Sequence, residues 1–82
     1  MVKIILKNAE LLRLLIAESG RTQKDFALKN GFSASYLTSI LNGKKNPSPR
    51  IAHQIAKGLG LHIEDLFILS VNPVSEKIKN IH

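Results

Sequence analysis

The 82-residue chain has no cysteine and no tryptophan, one tyrosine, three phenylalanines and three prolines. Without cysteine there is no disulfide scaffold, no zinc finger built on thiolates and no thiol nucleophile, and nothing points to an oxidising compartment. A cytoplasmic protein is the default expectation. Long apolar runs are missing as well. The opening MVKIILKNAELLRLLIAESG is broken throughout by Lys3, Lys7, Glu10, Arg13 and Glu18, so no stretch approaches the ~20 residues of a membrane span. Signs of catalysis are equally thin. His53, His62 and His82 have no ligand-like spacing with carboxylates, no phosphate loop occurs and no serine has an evident base beside it. The expectation is therefore no catalytic residue, no metal and no cofactor, with His53 and His62 as packing or capping residues.

What is present bounds the rest. An apolar content of 44% in 82 residues fits one small globular domain with a marginal core, to which dimerisation would add stability. The net charge of +6 is concentrated: Arg21, Lys24, Lys29, Lys44, Lys45 and Arg50, opposed only by Asp25, give +5 between residues 21 and 50. A solvated basic face would explain part of that. Charge gathered on one segment also predicts a positive field turned toward a polyanion.

Along the chain, Val2, Ile4 and Leu6 alternate with Lys3, Ile5 and Lys7, a short strand over 1–7. Asn8 is the N-cap of helix 1, expected over 9–19, with Glu10 in its first turn, Leu11, Leu12, Leu15 and Ile16 as its buried stripe and Gly20 as its stop. The same leucines fit a coiled-coil seam, but the segment is short for one. Thr22 caps helix 2, and Asp25 stands where a capping-box acid would. Phe26 and Ala27 face inward, and Gly31 closes the helix in a left-handed conformation.

Ser33 caps helix 3, whose inner stripe is Tyr36, Leu37, Ile40 and Leu41. Its outer face is left with Ala34, Ser35, Thr38, Ser39 and Asn42. Small uncharged side chains replace the Glu and Lys of an ordinary solvated helix. They let the backbone approach another surface closely and leave hydroxyls to meet base edges. Asn42-Gly43 ends the helix and 44–47 forms a basic loop closed by Pro47. Ser48 and Pro49 start helix 4, expected to 59, with Ile51, Ala52, Ile55, Ala56 and Leu59 buried. Gly58 inside it implies close packing or fraying. Gly60 stops it, 63–67 makes a short helix 5, 67–71 is a second strand candidate, and 72–82 is a polar tail.

These residues resemble the Cro and phage-repressor proteins, the Xre family of helix-turn-helix proteins, over about residues 11–67. The marks are Thr22-Gln23, Ala27, Gly31, Ser33, Asn42-Gly43-Lys44, Asn46-Pro47-Ser48, Ile55-Ala56-Lys57, Leu59-Gly60 and Asp65-Leu66-Phe67. Each dipeptide is weak, whereas their ordered spacing is specific. The resemblance implies an all-α, five-helix, lambda-repressor-like DNA-binding domain with its core over 9–67. Helix 3 would read the major groove. A two-stranded antiparallel ribbon from the two ends of the chain is expected to lie beside the core and border the dimer interface. The resemblance puts Ala34, Ser35, Thr38 and Ser39 at base-reading positions, and Gln23 at a phosphate or base-proximal contact. Lys44, Lys45 and the Asn42 main chain match backbone-positioning sites, and Thr22, Ser33 and Arg50 complete the phosphate set.

Three positions depart from the family pattern. Many relatives pair an Arg late in helix 1 with a Glu at the end of helix 3; here Ile16 and Leu41 stand there, and an apolar contact can replace an ion pair without loss of stability. Asn30 takes a usually apolar place, which weakens the core at the end of helix 2 or passes its task to Leu28. Ala34 and Ser35 replace longer side chains, which turns base readout toward thymine methyls, water or DNA shape. The expected partner is double-stranded DNA, bound by a homodimer that represses transcription from a palindromic operator, in a bacterial or phage setting. The alternative is an antitoxin-type module whose apolar ends hold a protein partner, a toxin or an antirepressor, and which also regulates its own operon.

Overall fold

Side chains that cap their own helices divide the chain. The computed structural model describes residues 2–71, in the order β1 (Val2–Leu6), α1 (Ala9–Glu18), α2 (Gln23–Lys29), α3 (Ala34–Leu41), α4 (Pro49–Gly58), α5 (Ile63–Leu66) and β2 (Phe67–Val71). The tail expected over 72–82, with His82, lies outside the described residues. Asn8 Oδ1 accepts from the Leu11 amide at 3.1 Å, Thr22 Oγ1 from Asp25 at 3.1 Å, Ser33 Oγ from Tyr36 at 3.1 Å and Ser48 Oγ from Ile51 at 3.3 Å. Each bond takes up an amide that a first helical turn leaves unpaired, and each is worth about 1 kcal/mol. Asp25 gives Thr22 its amide, but the reach-back half of a capping box is made at α5, where Asp65 Oδ2 accepts from the His62 amide at 2.8 Å.

Every element contributes to one apolar core. Ile4 of β1, Leu12 and Ile16 of α1, Phe26 and Ala27 of α2, and Leu37, Ile40 and Leu41 of α3 are buried, together with Ala52, Ile55 and Ala56 of α4, Leu66 of α5 and Phe67 of β2. Among the described residues none that is polar or charged is buried. Ile16 and Leu41, the places of the relatives' ion pair, both belong to this cluster, so the site is held by apolar burial.

The two ends of the described chain pair as an antiparallel ribbon in the register Val2↔Val71, Lys3↔Ser70, Ile4↔Leu69, Ile5↔Ile68 and Leu6↔Phe67. A further bond from the Lys7 amide to the Leu66 carbonyl, 2.9 Å, closes the ribbon against α5. Alternation sends Ile4 and Phe67 into the core and leaves Lys3 in solvent. The five helices are thus accompanied by a sheet, and Phe67, expected to end helix 5, is its first residue on the return strand.

Several side chains sit differently from the sequence expectation. Leu11 is 41% exposed while Leu12 and Ile16 are sealed. Successive helical residues are about 100° apart, so a core this small accepts one stripe, and the Leu12/Ile16 row takes it with Leu15 half-buried at its flank. Leu28 is 59% exposed and does not replace the missing apolar residue at position 30. Asn30 fills the place itself: its Nδ2 donates to the Phe26 carbonyl at 2.8 Å, satisfying the end of α2. The side chain also lies over Gly58, where an added Cβ would stand 2.6 Å from Asn30 Oδ1. Of the two readings of Gly58, close packing is the one realised. Tyr36, Ile51 and Leu59 are half-buried around the core rather than sealed in it.

Candidate nucleic-acid interface

The turn between α2 and α3 is set by backbone bonds that a glycine permits. Gly31 has φ +90°, a conformation that costs other residues steric strain. Its amide donates to the Leu28 carbonyl at 3.3 Å, and the Phe32 amide donates to Ala27 at 3.0 Å. This pair of bonds satisfies the last carbonyls of α2 and reverses the chain, so Ser33 can cap α3 immediately.

On α3 the inward row is Leu37, Ile40 and Leu41. Ser35 and Thr38 are exposed, and Ala34 and Ser39 are half-buried at the edges of the same outer surface. Of the four side chains expected to read bases, two are therefore exposed and two flank them. The spacing i, i+3, i+4 puts Ser35, Thr38 and Ser39 on one face with Asn42 below them.

The end of α3 repeats the turn chemistry and joins the basic loop to this face. Gly43 (φ +76°) donates its amide to Ile40 at 3.1 Å, while the amides of Lys44 and Lys45 both donate to the Ser39 carbonyl, at 2.9 and 3.3 Å. One residue of the outer face thus anchors the backbone of both loop lysines. Lys44 and Lys45 are exposed, and the Lys45 ammonium lies over the Tyr36 ring, 5.1 Å from its centroid. Asn42 is the C-cap of α3, its Oδ1 accepting from Arg13 Nη2 at 3.4 Å. Arg50 is exposed on the first turn of α4.

Thr22 and Ser33 use a lone pair of their hydroxyl oxygens as caps. A hydroxyl keeps its proton when it accepts, so each retains a donor for a phosphate oxygen. Gln23 opens α2, half-buried, among first-turn amides whose partial positive charge suits an anion. Lys24 and Lys29 are exposed on α2, and Asp25 is the only acid from 21 to 50. The chemistry on offer is a surface of small hydroxyls bordered by cations and helix-start amides.

Tyr36 and Arg13 belong to this surface although the sequence reading gave neither a part in it. Tyr36 was expected in the inner stripe; its ring carries Lys45 and its hydroxyl accepts from the Ser48 amide at 3.4 Å. A polar tip on an otherwise aliphatic row was the signal. Arg13 reaches α3 across 29 residues of sequence, which no local pattern records. Among the described residues, no three His, Cys, Asp or Glu side chains gather where they could hold a metal, and no helix is long and apolar enough to cross a membrane.

A family model described as helix-turn-helix matches residues 12–66. An uncharacterized HTH-type transcriptional regulator of Methanocaldococcus jannaschii is 47% identical over 47 residues, which cover 57% of this chain and 71% of the other. One from Archaeoglobus fulgidus is 40% identical over 57 residues, covering 70% and 81%. Another, from Sinorhizobium fredii, is 35% identical over 65 residues, covering 78% and 80%.

Proposed function

The chain belongs to the Xre-type helix-turn-helix family, and from that premise we propose that it is a sequence-specific, DNA-binding transcriptional regulator, a repressor that acts in the cytoplasm as a homodimer on a palindromic operator. The observation that carries the reading is the junction at Ser39, whose carbonyl ties the loop bearing Lys44 and Lys45 to the small-residue face of α3. A groove-reading helix and a phosphate-gripping loop need a fixed distance between them, and the two hydrogen bonds supply it.

In this reading the chain is one lambda-repressor-like domain with its core over 9–67 and a tail over 72–82. Ser35 and Thr38, flanked by Ala34 and Ser39, meet base edges in the major groove. Thr22, Gln23, Ser33, Asn42, Lys44, Lys45 and Arg50 meet the phosphate backbone. Because the readers are short, shape and thymine methyls carry part of the selectivity.

A single module covers only ~600 to 1,000 Å² of its own surface on DNA and sees few base pairs, which favours a dimer on two half-sites about one helical turn apart. The ribbon supports that arrangement: Ile68, 50% exposed, and Leu69 present apolar surface beside the core. The same surface favours a second reading, an antitoxin-type module whose ribbon holds a toxin or antirepressor.

Selection of bound sequences from random duplex DNA at near-physiological salt tests the proposal. Enrichment of a palindrome supports sequence-specific reading and two-fold symmetry together. Failure to enrich any sequence removes the DNA-reading role and leaves the interaction module.

A further inference from the structure

Three of the four aromatic residues in this chain form a ladder that ends on the basic loop. Phe26, buried in the core, meets Phe32 of the turn edge to face, with centroids 6.4 Å apart at 78°. Phe32 meets Tyr36 in the same way, at 6.3 Å and 73°. Edge-to-face contacts are favourable because the positive rim of one ring meets the negative face of the next. The Tyr36 ring, held by Phe32, carries the Lys45 ammonium over it, and its hydroxyl accepts from the amide of Ser48, the cap of α4. Between those two anchors lies Pro47, buried and with a fixed φ.

We propose that Tyr36 is a positioning residue for DNA binding: it holds the 44–48 loop and the Lys45 ammonium in place before DNA arrives. This rests on the DNA-binding reading given above. A lysine side chain in solvent samples many rotamers, and closing it on a phosphate forfeits that freedom. An ammonium already resting on a ring has lost part of it. The ladder extends the rigidity of the core, through Phe26 and Phe32, to a loop that the Ser39 carbonyl and the burial of Pro47 also hold. Tyr36 acts through Lys45, not through base contacts, so its effect is the same for every DNA sequence.

The test is a double-mutant cycle between Tyr36→Leu and Lys45→Ala, read as affinity for a mixed-sequence DNA duplex. Tyr36→Leu is expected to weaken binding about two- to fivefold when Lys45 is present. In the Lys45→Ala background the same change costs clearly less, because the ammonium it positions is gone and only its hold on the rest of the loop is lost. Tyr36→Phe keeps the ring and recovers most of the affinity lost in Tyr36→Leu.

Additive effects in the cycle, or a Phe variant as weak as the Leu variant, overturn the proposal. A measurement on the wild-type protein without DNA guards against a variant that fails to fold. The ε-methylene protons of Lys45 should resonate upfield under the ring current of Tyr36, and random-coil positions for them overturn the proposal. A wild-type protein that binds no duplex at all refutes the DNA-binding reading itself. If the wild type binds and Lys44→Ala weakens it while the cycle is additive, only the role of Tyr36 falls.

Discussion

The Asn30 side chain occupies the space that any side chain at position 58 would need: a Cβ on Gly58 would meet Asn30 Oδ1 at 2.6 Å. It is thus the Asn30 amide, rather than the backbone of α2, that lies against α4 at Gly58. Asn30 stays in place because its Nδ2 is bound to the Phe26 carbonyl.

Replacing Gly58 with Ala should therefore add little of the ~1 kcal/mol that alanine's better helix propensity would otherwise bring. The displaced Asn30 loses its side-chain bond to the Phe26 carbonyl, and that loss offsets the propensity gain. In an Asn30→Ala background the obstruction is absent and the same substitution should stabilise. Urea unfolding of the four proteins measures the coupling; equal effects of Gly58→Ala in both backgrounds would show that the contact does not matter.

Lys44→Ala and Lys45→Ala should weaken binding to operator and mixed-sequence DNA by similar factors. Each lost phosphate contact should also flatten the dependence of log affinity on log salt by about 0.9 per protomer. Fluorescence anisotropy titrations over a salt series give both quantities. An unchanged slope would remove these lysines from the phosphate set.

Ser35→Ala and Thr38→Ala should leave that salt slope alone and alter preference at particular base pairs of each half-site, by about 1 kcal/mol per lost hydrogen bond to a base edge. Competition binding against single-base operator variants reads the change. A uniform loss across all variants would mean that the outer face of α3 does not read sequence.

On the proposal that the chain dimerises through its ribbon, Ile68→Lys should weaken the dimer about tenfold or more, since a charge placed in an apolar contact has to be desolvated. The monomer should remain folded, because Ile68 is half exposed and outside the core. Sedimentation equilibrium with circular dichroism separates the two effects; an unaltered dimer would place the interface elsewhere.

Much of the fold was legible because its signals are local. Asn8, Thr22, Ser33 and Ser48 each bond an amide three residues ahead, so the spacing that defines a cap is visible in the chain itself. The ribbon was also legible, from alternation at one end and a β-branched run at the other. The small outer face of α3 could be read by subtraction, once Leu37, Ile40 and Leu41 were assigned inward. Leu11 and Leu28 were not legible: a helical pattern narrows the buried face to a few adjacent rows, and only the neighbouring helices select among them.

The sequence by itself determined where helices begin and stop, where positive charge gathers and which short side chains line the outer face of α3, since all of these rest on interactions within a few residues. Only the tertiary structure decided that Asn30 lies over Gly58, that Arg13 meets Asn42 and that Tyr36 stands between Lys45 and Ser48. Those contacts join separate elements, and their geometry exists only after the apolar core has fixed how the helices cross.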